Sequence, residues 1–135
     1  MVLLVQNEVA KRIIARDGKE SILSISVKAY GEPKMLMKVP SRYFSPEPKV
    51  DSAIIVIKNI SRKIFEENKI EEEKFWQIVR AGFAHKRKKL TSNLKKYGIL
   101  TENSHKNALE NKRGEDLLLG DWVDLAKSAN INKKG

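Results

Sequence analysis

Apolar and polar positions change their rhythm part-way along the chain, and the change divides it in two. Residues 1–6 open on the unbroken run Val2-Leu3-Leu4-Val5, which has the length and character of a short buried strand. Asn7 stands where it can cap a following helix. That helix would turn Val9, Ile13 and Ile14 inward and Glu8, Lys11 and Arg12 to water, with Asp17-Gly18 as its stop. Over 22–30 the alternation is regular, with Leu23, Ile25, Val27 and Ala29 on one side and Ser24, Ser26, Lys28 and Tyr30 on the other. A period of two predicts a half-buried strand. Gly31-Glu32-Pro33-Lys34 would turn it into a second strand, Met35 to Val39, as an antiparallel hairpin. Residues 40–49 hold three of the four prolines and exclude regular structure, and Ala53 to Ile57 is an apolar strand too short for a helix.

After about Asn59 the period lengthens. Residues 60–74 read as a charged connector leading into a helix, and 69–97 fit a single helical wheel. Phe75, Trp76, Val79, Phe83, Leu90, Leu94 and Tyr97 fall on its apolar stripe, and Gly98 is a C-terminal stop. A short helix is expected near Ser104–Glu110 and a last one over about Asp121–Ala129, packing through Trp122, Leu125, Ala126 and Ala129. Trp76 and Trp122 lie on apolar stripes and read as core. Asn130–Gly135 is expected to fray. The class is therefore α+β, a strand-rich part over 1–59 and a helical part over 60–135. Val2–Val5 is left without obvious neighbours and looks like part of a larger sheet whose remainder is missing.

Composition narrows the chemistry. The 135 residues, 41% of them hydrophobic, suffice for a real core, and no apolar run approaches membrane-spanning length. Met1–Val5 is too short for a signal-peptide core and lacks basic residues before it. Cysteine is absent, which excludes disulfides and thiolate metal sites and suits a cytoplasmic setting. His85 and His105 stand in no metal-ligand spacing, so no metal is expected. The charge of +10 points to a polyanion, nucleic acid ahead of acidic membrane; a merely solubilising lysine-rich surface is the alternative.

Residues 39–52 read Val-Pro-Ser-Arg-Tyr-Phe-Ser-Pro-Glu-Pro-Lys-Val-Asp-Ser. Two prolines separated by one residue hold the backbone extended and stiff. An aromatic just ahead of them is either a platform for a planar group or a core plug. The phrase Phe44-x-Pro46-x-Pro48-Lys49-Val50-Asp51-Ser52, followed by an apolar strand, resembles the adenine-specific ribosomal RNA dimethyltransferases. The resemblance extends in order through Val5-Gln6-Asn7-Glu8-Val9-Ala10, Leu23–Pro40, the basic segment Ala81–Leu94 and Lys112-Arg113-Gly114-Glu115-Asp116-Leu117. It implies the final strands and helix of a Rossmann-like class I methyltransferase sheet over 1–59, followed by a small all-helical rRNA-binding domain over 60–135. The family's glycine-rich cofactor loop and Asn-Leu-Pro-Tyr motif have no counterpart in this sequence. S-adenosylmethionine is thus expected as methyl donor of the full-length enzyme, with no cofactor-binding residue in this chain and no activity from it alone.

By the same resemblance Phe44 stacks on the flipped target adenine, and Pro46 and Pro48 stiffen that platform. Lys49 either reaches a phosphate, pairs with Asp51 or stays solvated. Arg80, Lys86, Arg87, Lys88, Lys89 and Lys95, with Lys96, form a basic helix expected to face rRNA phosphates, the four consecutive charges spreading around it. Tyr43 stands where the family usually has a small residue and is either an extra stacking surface or plain surface. Leu118 replaces the family's usual Ser or Thr cap of the last helix, leaving Asp121 to cap it. Gln6, Glu8 and Arg12 read as fixing the strand-to-helix turn. The implied partner is small-subunit rRNA or the immature small ribosomal subunit, met by a monomer with no membrane contact. The alternatives are a non-catalytic RNA-binding module and a macrolide-resistance-type methyltransferase of large-subunit rRNA.

Overall fold

The computed structural model describes residues 1–15, 17–100 and 108–131. The helix expected from Ser104 falls mostly outside the described residues, as do His105 and the end of the tail. Strand β1 (Val2–Gln6) passes directly into helix α1 (Asn7–Ile14). Asn7 is not the cap: it lies inside the helix, and its backbone N–H donates to the Asp51 carbonyl at 2.9 Å. A backbone partner from the neighbouring loop replaces the side-chain oxygen that a capping Asn would supply. The helix buries Ala10 and Ile13 and closes on Ala15 in the left-handed region (φ 56°), followed by Gly18 at φ 79°.

The largest departure from the sequence pattern is at Ile22–Lys28, which is helix α2 and not a strand. Its entry explains why. The Ser21 hydroxyl accepts from the Ser24 N–H at 3.1 Å and the Ser24 hydroxyl accepts from the Ser21 N–H at 2.8 Å, a reciprocal capping box. On a helix, residues two apart lie on opposite sides, so alternation over so few positions suits a helix buried on two sides. Leu23 and Val27 pack on a cluster with the sheet; Ile25 and Ala29 pack into the helical core. The expected hairpin of 22–39 is thereby replaced by another. Strand β2 (Glu32–Val39) pairs antiparallel with β3 (Ser52–Lys58), and the proline loop makes the connection.

Strand β3 also pairs antiparallel with β1, giving the order β1-β3-β2. Its central place accounts for its nearly continuous apolar sequence. One face carries Leu3, Val5, Ala53, Ile55 and Met35 under α1 and α2. The other carries Val2, opposite Val56, and Leu4, opposite Ile54; Val2 is 67% and Leu4 56% exposed. The two outer edges differ. That of β2 has Pro33, Lys34, Lys38 and an irregularity between Met35 and Met37, the usual guards against edge pairing. That of β1 has no charge, proline or bulge, and no strand among the described residues pairs with it.

The second part comprises α3 (Lys63–Asn68), α4 (Glu72–Gly82), α5 (Leu90–Lys96) and α6 (Leu119–Ser128), with a two-residue ladder of β4 (Ile99–Leu100) and β5 (Asn130–Ile131). Asn130 and Ile131 therefore pair, where fraying was expected. The single helix expected over 69–97 is two helices, broken at 83–89. Gly98 takes φ 75° as the stop after α5. Helix α6 starts at Leu119, earlier than expected, because the Asp121 carboxylate folds back to accept the Leu118 N–H at 2.9 Å. Trp122 and Phe75 are fully buried among Ile78, Leu90, Leu94, Leu117 and Leu125. Trp76 is only partly buried: it stacks with Tyr30 at 5.9 Å and donates from Nε1 to the Tyr30 hydroxyl at 3.0 Å. Between the two parts, the Glu20 N–H donates to the Glu115 carbonyl and Lys19 pairs with Asp116 at 2.6 Å.

Candidate nucleic-acid interface

The proline loop is held at its base and open at its tip. One Asp51 carboxylate oxygen accepts the Ser41 N–H at 2.8 Å, the other lies 3.3 Å from the Lys38 ammonium, and the Asp51 carbonyl holds Asn7. The Ser41 N–H and then the Lys38 ammonium keep this carboxyl below its usual range. Lys38, not Lys49, is therefore the ion-pair partner of Asp51, and Lys49 projects to solvent. A one-turn 3₁₀ segment (Ser41–Tyr43) leads to Phe44, whose N–H donates to the Ser41 carbonyl at 3.1 Å. The Ser41 hydroxyl donates to Glu47 at 3.1 Å, drawing the two limbs of the loop together.

On this frame Phe44 is half-buried and belongs to neither hydrophobic cluster of the described residues. A core plug would be counted in one of them. Pro46, Pro48 and Lys49 are exposed beyond it, and the Ser45–Pro46 peptide is cis. Tyr43 is 69% exposed, with the Arg42 guanidinium carbon 5.0 Å from its ring centre.

The basic run occupies the turn between α4 and α5, not a helix. Lys86, Arg87, Lys88 and Lys89 are all exposed, and no carboxylate of the described residues pairs with them. The turn is anchored from inside. Buried Asn93 donates from its side-chain amide to the carbonyls of both Gly82 and His85 at 3.0 Å, and Lys88 N–H returns to the His85 carbonyl. At Gly82 a methyl group would meet Trp122 at 2.4 Å and Leu90 at 2.8 Å, so only glycine lets α4 end against the indole. Phe83 lies against the same indole, 5.2 Å between ring centres. Asn93, Gly82 and Lys38 were not foreseen from the sequence, since each acts on groups far along the chain or on the opposite limb of a loop.

Two of the predicted residues, Lys86 and Arg80, also line clefts. Lys86 shares one with Glu8, Lys11, Arg12, Lys19 and Glu115, bringing the basic turn beside α1. Arg80 shares another with Tyr97, and Lys95 is exposed in the last turn of α5. Tyr97, expected on the buried stripe, is 50% exposed. Among the described residues no group of three His, Asp or Glu side chains could hold a metal, and no helix is long and apolar enough to cross a membrane.

Three comparisons bear on this arrangement. The family model described as ribosomal RNA adenine dimethylase matches residues 1–130. Among curated proteins, ribosomal RNA small subunit methyltransferase A of Fusobacterium nucleatum is 38% identical over 132 residues, covering 93% of this chain and 49% of that protein. The protein of the same name from Halothermothrix orenii is 39% identical over 138 residues, covering 95% and 45%. The chain thus spans about half the length of the curated relatives it matches. Among solved structures, a dimethyladenosine transferase from Plasmodium falciparum aligns with a TM-score of 0.64 at 25% identity, over 92% of this chain and 54% of that one. The 23S rRNA methyltransferase ErmE aligns with a TM-score of 0.64 at 20% identity, over 93% and 52%, a likeness of fold alone. With matching sequence along nearly its whole length and the same fold as these methyltransferases, the chain belongs to the ribosomal RNA adenine dimethylase family.

Proposed function

We propose that the chain is the C-terminal part of an S-adenosylmethionine-dependent adenine N6,N6-dimethyltransferase of small-subunit rRNA, acting in ribosome biogenesis. Residues 1–59 are its share of the catalytic domain and 60–135 its rRNA-binding domain. The observation that carries this reading is the family match over residues 1–130, with relatives named for the small subunit. The bare outer edge of β1 and the apolar face of Val2 and Leu4 support it, being surfaces suited to the rest of a larger sheet.

Within that reading Phe44 is one jaw of the adenine clamp. Extruding a base from RNA costs a few kcal/mol, offset in part by stacking worth roughly 1–3 kcal/mol. A half-buried ring on a loop tied down through Asp51 is pre-positioned for this, and Pro46 and Pro48 limit its freedom. Lys86, Arg87, Lys88 and Lys89, with Arg80, Lys95 and Lys49, contact phosphates; such contacts set register and not sequence. S-adenosylmethionine would supply the methyl group. The residues here do not fit it: β1 runs directly into α1 with no glycine between them, so no glycine-rich loop follows that strand. The chain alone is expected to be inactive.

The test uses the full-length enzyme. Phe44→Ala should depress methyl transfer more than rRNA affinity, and unchanged turnover would reduce Phe44 to a packing residue. Replacing Lys86, Arg87, Lys88 and Lys89 together by Gln should weaken rRNA binding and flatten its salt dependence, since each released counterion contributes to the slope.

A further inference from the structure

The cleft shared by Arg80 and Tyr97 has a construction that packing does not explain. Gln77, Arg80, Ala81 and Ala84 follow one another along a single side of α4 and its end, and Ile99 and Tyr97 close the opposite wall. The cleft measures about 420 Å³, within the roughly 300–1,000 Å³ of small-molecule sites. Part of its lining is apolar, since Ala81 and Ala84 carry only methyl groups and Ile99 is buried. Its rim is an exposed guanidinium, a carboxamide and a half-exposed phenol ring, and among the described residues no carboxylate lines it. Lys95 and Lys96 precede Tyr97 in the last turn of α5, and Lys96 Nζ lies 3.0 Å from His85 Nε2.

Resting on the rRNA reading above, we propose that this cleft is a second nucleotide subsite, which takes an unstacked base of single-stranded rRNA. Tyr97 offers the ring face for stacking. Arg80 grips the adjoining phosphate, and Gln77, with both donors and an acceptor, meets the base edge. Arg80 is the one charge among the described lining residues, so the cleft disfavours basic ligands. The site lies in the helical part and is separate from the Phe44 loop: it holds the substrate strand and does not touch the reacting amine.

The experiment uses the full-length enzyme and two probes, a short single-stranded RNA carrying 4-thiouridine and a duplex of equal length. On irradiation the single strand should crosslink to the peptide containing Tyr97. Tyr97→Leu should weaken single-strand binding roughly tenfold and leave duplex binding unchanged, while Tyr97→Phe retains wild-type affinity. Arg80→Gln should weaken binding with a smaller salt slope. Crosslinks confined to the 86–89 turn, or equal losses for single strand, duplex and heparin in Tyr97→Leu, would overturn the subsite while leaving the rRNA reading intact. A wild-type full-length enzyme that binds neither RNA would overturn both. The crosslink map is read on the unaltered chain, so a variant that fails to fold does not spare the proposal.

Discussion

The sheet part and the helical part solve the burial problem to different degrees. The helical part closes on all sides: Trp122, Phe75, Leu90, Leu94 and Leu125 are fully buried in a core drawn from α3 to α6 and completed by Ile25 and Ala29. The sheet part closes on one side only, with Ala10, Ile13, Ala53 and Ile55 as its buried cluster and Val2 and Leu4 bare on the reverse face. A three-stranded sheet covered on one face has enough apolar contact to be specified in register and little to spare. The helical part should therefore set the stability of the chain, and the sheet part should be the more responsive to its surroundings.

Substitutions can break that contrast. Trp122→Ala removes the ring against which Gly82 and Phe83 are fitted, and should cost about 3–5 kcal/mol in urea unfolding. Ile55→Ala, at the centre of the sheet cluster, should cost less, roughly 2 kcal/mol, because one side of that sheet can relax into solvent. A larger loss for Ile55→Ala than for Trp122→Ala would reverse the ranking. Leu4→Gln on the bare face should shift stability by no more than about 0.5 kcal/mol in this chain. A clearly destabilised Leu4→Gln chain would show that this face is covered in solution.

The smallest expected effect is local. Asp51 holds the proline loop only while ionised, and its folded-state pKa is depressed by Ser41 and Lys38. Its contribution is thus present above the ordinary carboxylate pKa of about 4 and is lost as pH falls through the lower folded value. Amide exchange at Ser41 should accelerate below that point, and Asp51→Asn should abolish the pH dependence. Ser41 protection that is flat down to strongly acidic pH would mean the loop is held otherwise.

Much of this was legible in the sequence where one periodicity dominated. The apolar runs of β1 and β3, the helix of α1, the stop at Gly98 and the apolar spacing of α6 all have a single environment on each side. Legibility failed where two environments meet within a few residues. Helix α2 is buried on both sides, so its pattern imitates a strand, and only the Ser21–Ser24 pair marks it as a helix. The break between α4 and α5 is invisible to a helical wheel, because it depends on Asn93 reaching back to Gly82 and His85. For the candidate site, the sequence places Phe44 just ahead of the prolines, but it puts the basic run on a helix where the structure has a turn. That Lys38 ties the loop, and that Tyr97 stays exposed, are matters of tertiary geometry.

The two-sided burial of α2 also constrains how the molecule can be dismantled. Ile25 and Ala29 belong to the helical core although they precede the sheet's last two strands, and Tyr30 ties Phe65 and Trp76 together at its margin. Excising residues 60–135 would leave the Ile25 and Ala29 side of that helix bare. Loss of the sheet would strip one wall from its neighbour. Local openings that release α2 should thus travel in both directions, and the two parts melt as a unit even though each has a core of its own.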